Sequence, residues 1–399
     1  MVETASPAPC LILAEQTWGS PLQAMRSLGS RGVPVFVAVL GSGANVYRAS
    51  RYCSGAAEFS TSDPRAFCEE VRHWLEQSIG TDEAVLVLPT SDRLVDMLDR
   101  ERSSFDERYI LSIPKTNVAS QLLLKPDAFE IAQEAGLAVP AWKRVSSRAD
   151  IDGCESLRLP VVIRPVDWGS SGADYFKIIL VHEETELLST LQRLVDSNAD
   201  VVAQEYVGGS DSVVEFAITW RSADGQSTSV CTGEKRRQTS DDGGVMVWGS
   251  AAPSPQALAA TSSFLDYSGF TGLGGAEFIR TGDQHWFIEF NPRLEAIHFV
   301  STAAGLDTVW FLYCDLIYGS RPDDIPLQSP ATAWIGSAWL QRMINQPRSL
   351  SEGLLDRLRF ATSPNRIRAV WSWTDPGPSL QILWRLSRNA IAKLRQAPK

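Results

Sequence analysis

Three apolar runs in the N-terminal quarter constrain the chain most: CLILAE (10–15), VPVFVAVL (33–40) and AVLVLPTSD (84–92). Each is short and nearly continuous, and helix-like stretches, Pro21 to Leu28 and RLVDMLDRE, follow the first and third. Such runs are buried on both faces. Alternation with helices then implies a parallel sheet covered on both sides. Sheets of this kind bind ligands beyond the carboxyl ends of their strands. Glu15, Gly19, Gly41, Asn45, Thr90, Ser91 and Asp92 are the candidates there. Ser91 and Asp92 either cap the next helix or touch a substrate. GSGANV follows the second strand and lacks a full G-x-G-x-x-G, so a nicotinamide-binding dehydrogenase is set aside.

From about residue 115 the pattern changes. IPKTNVASQLLLKPDAFEIAQEAGLAVPAW reads as a helix pair ending at Gly136. LPVVIRP, YFKIILV, DVVAQEYV, SVVEFAITW and TSVCTGEKR read as strands, with ETELLSTLQRLVD a helix among them. This part is β-rich and mostly antiparallel. From about 320, Trp-rich strands (ATAWIGSAWL, RIRAVWSWTDP) and a basic helix are expected.

Composition narrows the function. A net charge of −10 disfavours a general nucleic-acid binder. Cys10, Cys53, Cys68, Cys154, Cys231 and Cys314 are scattered without metal-ligand spacing, which fits a reducing compartment. Met1 to Pro9 lacks a signal-peptide pattern and no apolar run is long enough for a bilayer. The expected location is cytoplasmic.

The segment GGAEFIRTGDQHWFIEFNPR (274–293) carries the chemistry. It reads as a hairpin turning at Gly282–Asp283. Strict alternation places Ala276, Phe278, Trp286, Ile288 and Phe290 on a core face, and Glu277, Ile279, Phe287, Glu289 and Asn291 on the other. A symmetric register sets Glu277 nearly opposite Glu289. Opposed like charges destabilise a sheet unless a cation lies between them. Two carboxylates and an amide oxygen suit magnesium. A solvated hairpin face with incidental acids is the plainer alternative.

These residues resemble the ATP-grasp superfamily, in which one metal-site strand ends E-F and the next reads E-x-N-P-R. Further blocks follow the family's order over roughly 115 to 310: Lys125 before GLAVP, PVVIRPVDWGSSG (160–172) and QEYVGGSD (204–211). The resemblance implies an α/β and α+β architecture. Residues 1–115 would form a Rossmann-like pre-ATP-grasp domain, 116–205 a small lid subdomain, 206–320 a large subdomain with the metal site, and 321–399 a small C-terminal α+β extension.

It also implies an ATP-dependent carboxylate–amine ligase, similar to D-aspartate ligase and carbamoyl-phosphate-synthase-like proteins, with ATP and magnesium or manganese as cofactors. Lys125 and Arg164 would meet the phosphates under a loop of Gly169, Ser170, Ser171 and Gly172. Gln204, Glu205, Tyr206 and Val207 would form the adenine hinge, and Asp211 would bind ribose. Glu277, Glu289 and Asn291 would hold the metal, and Arg293 would meet the transferred phosphate. Lys235 and Arg237, on the basic stretch TGEKRRQTSDDGG (232–244), would bind substrate carboxylate or γ-phosphate, or else form an exposed basic hairpin. Arg164 replaces the family's lysine and Gln204 its commoner glutamate. A nucleotide-binding protein without ligase activity, regulatory or membrane-associated, is the alternative.

Small-molecule carboxylates and amines are the expected partners, nucleic acid is not, and a homodimer is the expected assembly. His182, His285 and His298 sit in no triad context, and His298 reads as structural. The stretch LQILWRLSRNAIAKLRQAPK (380–399) combines an apolar stripe of Leu380, Leu383, Trp384, Ile391 and Leu394 with five basic residues and no acid. The preferred expectation is a C-terminal helix docked on its own protein. Contact with an anionic membrane or a partner is the second expectation.

Overall fold

The computed structural model describes residues 7–15, 19–172, 176–209, 211–240, 243–321, 325–345 and 350–385. Three sheets organise it.

The first sheet is five-stranded and parallel: β1 (Cys10–Ala14), β2 (Val35–Leu40), β3 (Cys53–Phe59), β4 (Val85–Pro89) and β5 (Tyr109–Leu111), in the order β3-β2-β1-β4-β5. β1, β2 and β4 are buried along their whole length, as their unbroken apolar runs require. The order reverses between β1 and β4, so Ala14 and Pro89 open onto the crevice where such sheets take ligands. The sequence reading passes over β3 and the helix Pro64–Ile79. CSGAAEF is a half-exposed edge strand without an apolar run. The helix is marked by a cap, with the Asp63 carboxylate accepting from the Ala66 N–H at 2.8 Å, and by Pro64 in its first turn.

The helices Val118–Leu123 and Lys125–Glu134 come next, and Gly136 (φ 83°) ends the pair as expected. A small antiparallel sheet then forms from β6 (Trp142–Val145), β7 (Val161–Pro165), β8 (Ile179–Val181) and β9 (Val201–Glu205), in the order β6-β9-β7-β8. Its Val145, Val161, Ile163, Val201 and Ala203 pack on Leu187, Leu191 and Leu194 of the helix Glu184–Asp196. By alternation, Arg164 and Gln204 sit on the opposite face.

The largest sheet has seven strands: β10 (Val213–Arg221), β11 (Thr228–Ser240), β12 (Gly243–Ala251), β13 (Gly272–Thr281), β14 (Gln284–Asn291), β15 (Ala331–Trp334) and β16 (Arg366–Arg368). Their order is β14-β13-β10-β11-β12-β15-β16, antiparallel except for β15 and β16. Strands from 331 onward thus extend the sheet begun at 213. ATAWIGSAWL is only partly the strand that the sequence suggests. After Trp334 the chain turns into the helix Gly336–Asn345, because Ile335, Ala338 and Arg342 are buried at helical spacing.

The hairpin β13–β14 keeps Glu277 opposite Glu289, and Gly282 (φ 59°) supplies the tip. The face assignment between them changes, however. Phe278 pairs with Phe287, so Ile288 is an extra residue, a β-bulge. Strict alternation put Trp286 and Ile288 in the core and Phe287 outside. The bulge reverses this, and Phe287 is fully buried. Phe287 stacks on Phe264 (centroids 5.1 Å apart), while Phe290 meets Phe264 and Phe270 at 4.9 and 5.0 Å. Two core aromatics three residues apart on one strand cannot share a face without an inserted residue.

Candidate active site

Glu277, Phe216 and Gly233 form one cross-strand row on β13, β10 and β11. Lys235, two residues beyond Gly233, shares that face. Its ammonium donates to Glu277 in a nearly buried ion pair. Burial works against the Lys235 charge, but Glu277 and Glu289 hold its pKa above the usual lysine range. Burial, and then the Glu289 charge, raises the Glu277 carboxyl against the pull of Lys235. Glu289 moves the other way. Burial opposes its charge, but Arg164, Lys125 and Lys235 together keep it ionised below the usual glutamate range.

The small sheet supplies cations from above. Arg164 is buried on β7 and donates to Gln204 Oε1 at 2.7 Å and to the Ile288 carbonyl at 3.3 Å. A guanidinium nitrogen lies 3.7 Å from Glu289, and the group sits 5.9 Å from the Phe129 ring centroid. The bulge makes the carbonyl contact available. Lys125 begins its helix with its backbone N–H on the Val166 carbonyl, and burial, then Arg164, lowers its pKa.

Beyond Pro292 the chain turns back on the cluster. Asn291 donates to Glu295 Oε1 at 2.5 Å and to Glu289 Oε1 at 3.3 Å, while its Oδ1 accepts from Arg293 at 3.2 Å. Arg293 Nε meets Asp92, at the start of the helix after β4, at 2.5 Å. The two readings of Ser91 and Asp92 therefore divide: Ser91 caps its helix through the Leu94 N–H, and Asp92 holds Arg293. Glu295 is the residue the sequence reading missed. It is buried, and burial and then Glu277 push its pKa up to about 8. It packs so tightly on Gly275 that a Cβ there would collide with its carboxylate. It is the next acid after the E-x-N-P-R block, and that proximity is its one signal in the sequence. His298 accepts from the Glu295 N–H at 2.8 Å and burial pushes its pKa down to about 3, in line with its structural reading.

Other expected residues fall nearby or elsewhere. In the β7–β8 connection, Ser170 bonds to Asp167 and Ser171 is buried. Gly172 (φ 71°) is obligatory because a Cβ would lie 2.6 Å from the Ser197 carbonyl. Tyr206 and Val207 follow β9. The Tyr206 N–H donates to Pro160, and the Val207 carbonyl accepts from Thr281 at the hairpin tip. Asp211 lies just before β10. Glu205 turns its carboxylate to Arg158, through the backbone N–H at 2.9 Å and the guanidinium at 3.3 Å. Arg237 is not brought into the cluster. A register shift between Lys235 and Arg237 turns it to the face of Trp248, where Asp356 takes its guanidinium at 3.1 Å. At the first sheet, Glu15 faces Arg93 at 3.8 Å, which stacks on Trp168, and Asn45 accepts from Arg48.

The donors are all oxygen: the Glu277 and Glu289 carboxylates and the Asn291 amide. Oxygen donors suit magnesium, which takes one or two protein carboxylates and fills its remaining positions with phosphate and water. No group of three or more His, Cys, Asp or Glu that could hold a metal ion is found among the described residues. The Glu295 Oε2 is buried without a hydrogen-bond partner beside these donors.

No family model matches the sequence. Formate-dependent phosphoribosylglycinamide formyltransferase of Delftia acidovorans is 22% identical over 322 residues, 76% of this chain and 78% of the relative. Among solved structures, an ADP complex of N5-carboxyaminoimidazole ribonucleotide synthetase matches with TM-score 0.61 and 15% identity. It covers 83% of this chain and 82% of its own. The biotin carboxylase domain of Hydrogenobacter thermophilus 2-oxoglutarate carboxylase, solved as a dimer with MgADP, ADP and bicarbonate, matches with TM-score 0.63 and 14% identity over 81% and 73%. The fold of this chain is the ATP-grasp fold.

Proposed function

We propose that the protein is an ATP-dependent ligase that activates a carboxylate as an acyl phosphate and joins it to an amine, an amino acid or similar small molecule. The observation that carries this reading is the Glu277–Glu289 pair with Asn291, facing Lys125, Arg164, Lys235 and Arg293 where the two antiparallel sheets meet. The ADP, MgADP and bicarbonate in the two solved neighbours support it.

In this reading the nucleotide lies between the small sheet and the seven-stranded sheet, its phosphates toward Lys125 and Arg164. Glu277, Glu289 and Asn291 hold magnesium or manganese, which neutralises charge on the transferring phosphoryl group. A substrate carboxylate oxygen attacks the γ-phosphorus and ADP leaves. The amine then attacks the acyl carbon, phosphate leaves with the C–O electron pair, and the amine loses a proton. Little covalent chemistry falls to side chains, so positioning dominates. Lys235 and Arg293 offer the acyl phosphate two cations. Asp92 and Asn291 hold Arg293 from either side, and Asp92 stands at the β1/β4 crevice, which supports an acceptor position there. Gln204 and the backbone of Glu205 to Val207 form the base hinge, with Asp211 toward ribose. The assembly in this reading is a homodimer.

The test is ADP release across a panel of carboxylates and amines with magnesium. Release that requires one member of each class is expected. ATP binding without release over the whole panel would overturn the ligase reading in favour of a nucleotide-binding protein, for which the engagement of Arg164 by Gln204 would be the starting point.

A further inference from the structure

The C-terminal stretch is docked on the protein where it is described: Asp375 is buried on Arg26 and Ser50, and Ile382 packs against the core. Ile391, Leu394 and the basic residues from Arg388 onward lie outside the described residues.

Glu295 is fixed through both its backbone and its side chain. The helix Gly19–Gly29 supplies Ser20, whose hydroxyl donates to the Glu295 carbonyl, and His298 accepts from the Glu295 N–H at 2.8 Å. Oε1 takes the Asn291 amide at 2.5 Å. The carboxylate lies against Gly275, where any Cβ would collide with Oε2. Gly275 stands two residues before Glu277 on β13, so the side chain it lacks would point to the face of the Glu277–Glu289 pair. The fold therefore clears a place for the Glu295 carboxylate on that face. The residue is 4% exposed, and its Oε2 has no hydrogen-bond partner.

A buried oxygen without a donor costs stability, and more so on a charged group. Oε2 of Glu215 and of Glu234 also lacks a well-directed donor, yet a basic nitrogen lies 2.7 Å from each. Glu295 pairs with no basic nitrogen among the described residues: Lys235 is taken by Glu277, and Arg293 by Asp92. Nor does it face Glu289 across a shared cation. The Asn291 amide nitrogen donates to both carboxylates and so stands between them. What Oε2 lacks is an N–H donor, and the neighbouring charges of Glu277 and Glu289 favour one that is cationic.

We propose that Glu295 Oε2 receives an N–H of the substrate amine, and that this substrate is an aliphatic primary amine, such as the amino group of an amino acid. Within the ligase reading, on which this assignment rests, Lys235 and Arg293 hold the acyl phosphate, and Glu295 beside them sets the amine nitrogen near the acyl carbon. Ser20 belongs to the helix after β1, so the body of the amine extends toward the crevice of the first sheet. A neutral aromatic amine would leave the negative charge around Oε2 unmet.

The experiment has two arms, both on the full chain. Saturation-transfer NMR in the presence of MgADP uses n-propylamine hydrochloride and the standard amino acids as probes, with tetramethylammonium as a cation that has no N–H. ADP release with magnesium and the carboxylate panel gives the KM of any amine that supports turnover. The variant is Glu295→Gln, which keeps the shape and the acceptor for Asn291 but puts an NH2 donor where the free oxygen was. The wild type should bind n-propylamine or an amino acid and not tetramethylammonium. The variant should weaken that binding, and raise the amine KM, roughly tenfold or more, with the ATP and magnesium requirements unchanged. Glu295→Asp, which draws the carboxylate back from Gly275, should show a comparable loss and serves if Glu295→Gln is unstable. Equal binding by wild type and variants overturns the assignment, as does the absence of any amine binding. A raised magnesium requirement with unchanged amine affinity also overturns it and makes Glu295 a metal ligand. Glu295-dependent amine binding without ADP release upholds the amine site and overturns the ligase reading; ADP release with an amine KM that the variants leave alone does the reverse.

Discussion

On one face of the seven-stranded sheet Lys235 meets Glu277 beside Glu289, Asn291 and Glu295. On the other, Arg280 meets Glu215 and Glu234, and His285 closes on Glu215. Both clusters set glutamates on neighbouring strands directly opposite each other, Glu277 with Glu289 and Glu215 with Glu234. In the second cluster every carboxylate oxygen of Glu215 and Glu234 lies within 3.2 Å of a basic nitrogen, Arg236 included. Both clusters hold buried carboxylate oxygens without a hydrogen-bond partner, Oε2 of Glu215 and Glu234 as well as of Glu295, but in the first the Arg164 guanidinium stands back 3.7 Å from Glu289. Composition does not separate an active site from a structural ion network; the approach of the cations to the carboxylates is what differs here. Close pairing fixes strands, and a cation that stands off leaves room for a ligand.

The sharpest test of that contrast is Glu289→Gln. It should lower ligase turnover by roughly a thousandfold, about 4 kcal/mol, while the melting temperature moves little. Turnover within a few-fold of wild type would remove Glu289 from the metal site. The mirror experiment is Glu215→Ala, which removes one of the two partners of Arg280 and the partner of His285. Urea unfolding should show a loss of about 3 kcal/mol, with nucleotide affinity in the surviving folded fraction unchanged. A stable Glu215→Ala protein that no longer binds nucleotide would collapse the distinction between the faces.

The third effect appears only in acid and concerns the histidine behind Glu295. Burial depresses His298 from its ordinary value of 6.5 to about 3, so the folded state stays neutral where the unfolded chain takes up a proton. Stability attributable to this site is complete above pH 6.5 and is lost as pH falls toward 3, by at most about 1.4 kcal/mol per pH unit. Urea melts over that interval should be shallower in pH for His298→Gln, whose amide oxygen can still accept from the Glu295 N–H. Parallel slopes would show that His298 is not held neutral.

Much of this was legible in the residues. The apolar runs at 10–15, 33–40 and 84–92 announce a parallel sheet because nothing else buries both faces of so short a segment. A Gly-Asp tip brings Glu277 nearly opposite Glu289, a local determinant, and the residue inserted at Ile288 makes the pairing direct. Two bulges were not legible. The one at Ile288 is selected by the contact of Phe287 with Phe264, more than twenty residues away in sequence. The one beside Arg236 turns Arg237 to Asp356, which is farther still. Glu295 was visible as a residue but not as a contact, because its direction depends on a turn after Pro292 and on the bare backbone of Gly275.

The bulge at Ile288 also changes what kind of information β14 carries. A regular strand has a parity, odd positions one way and even positions the other. Here parity flips once, so that aromatics at 287 and 290 and acids at 277 and 289 are all correctly faced. The quantity that matters at 288 is therefore a count rather than a side chain. Many substitutions leave the count intact, whereas deleting one residue would send every side chain on one flank to the wrong side of the sheet. The same surplus residue turns its carbonyl to Arg164, so the length of one strand sets the hold that the small sheet has on the large one.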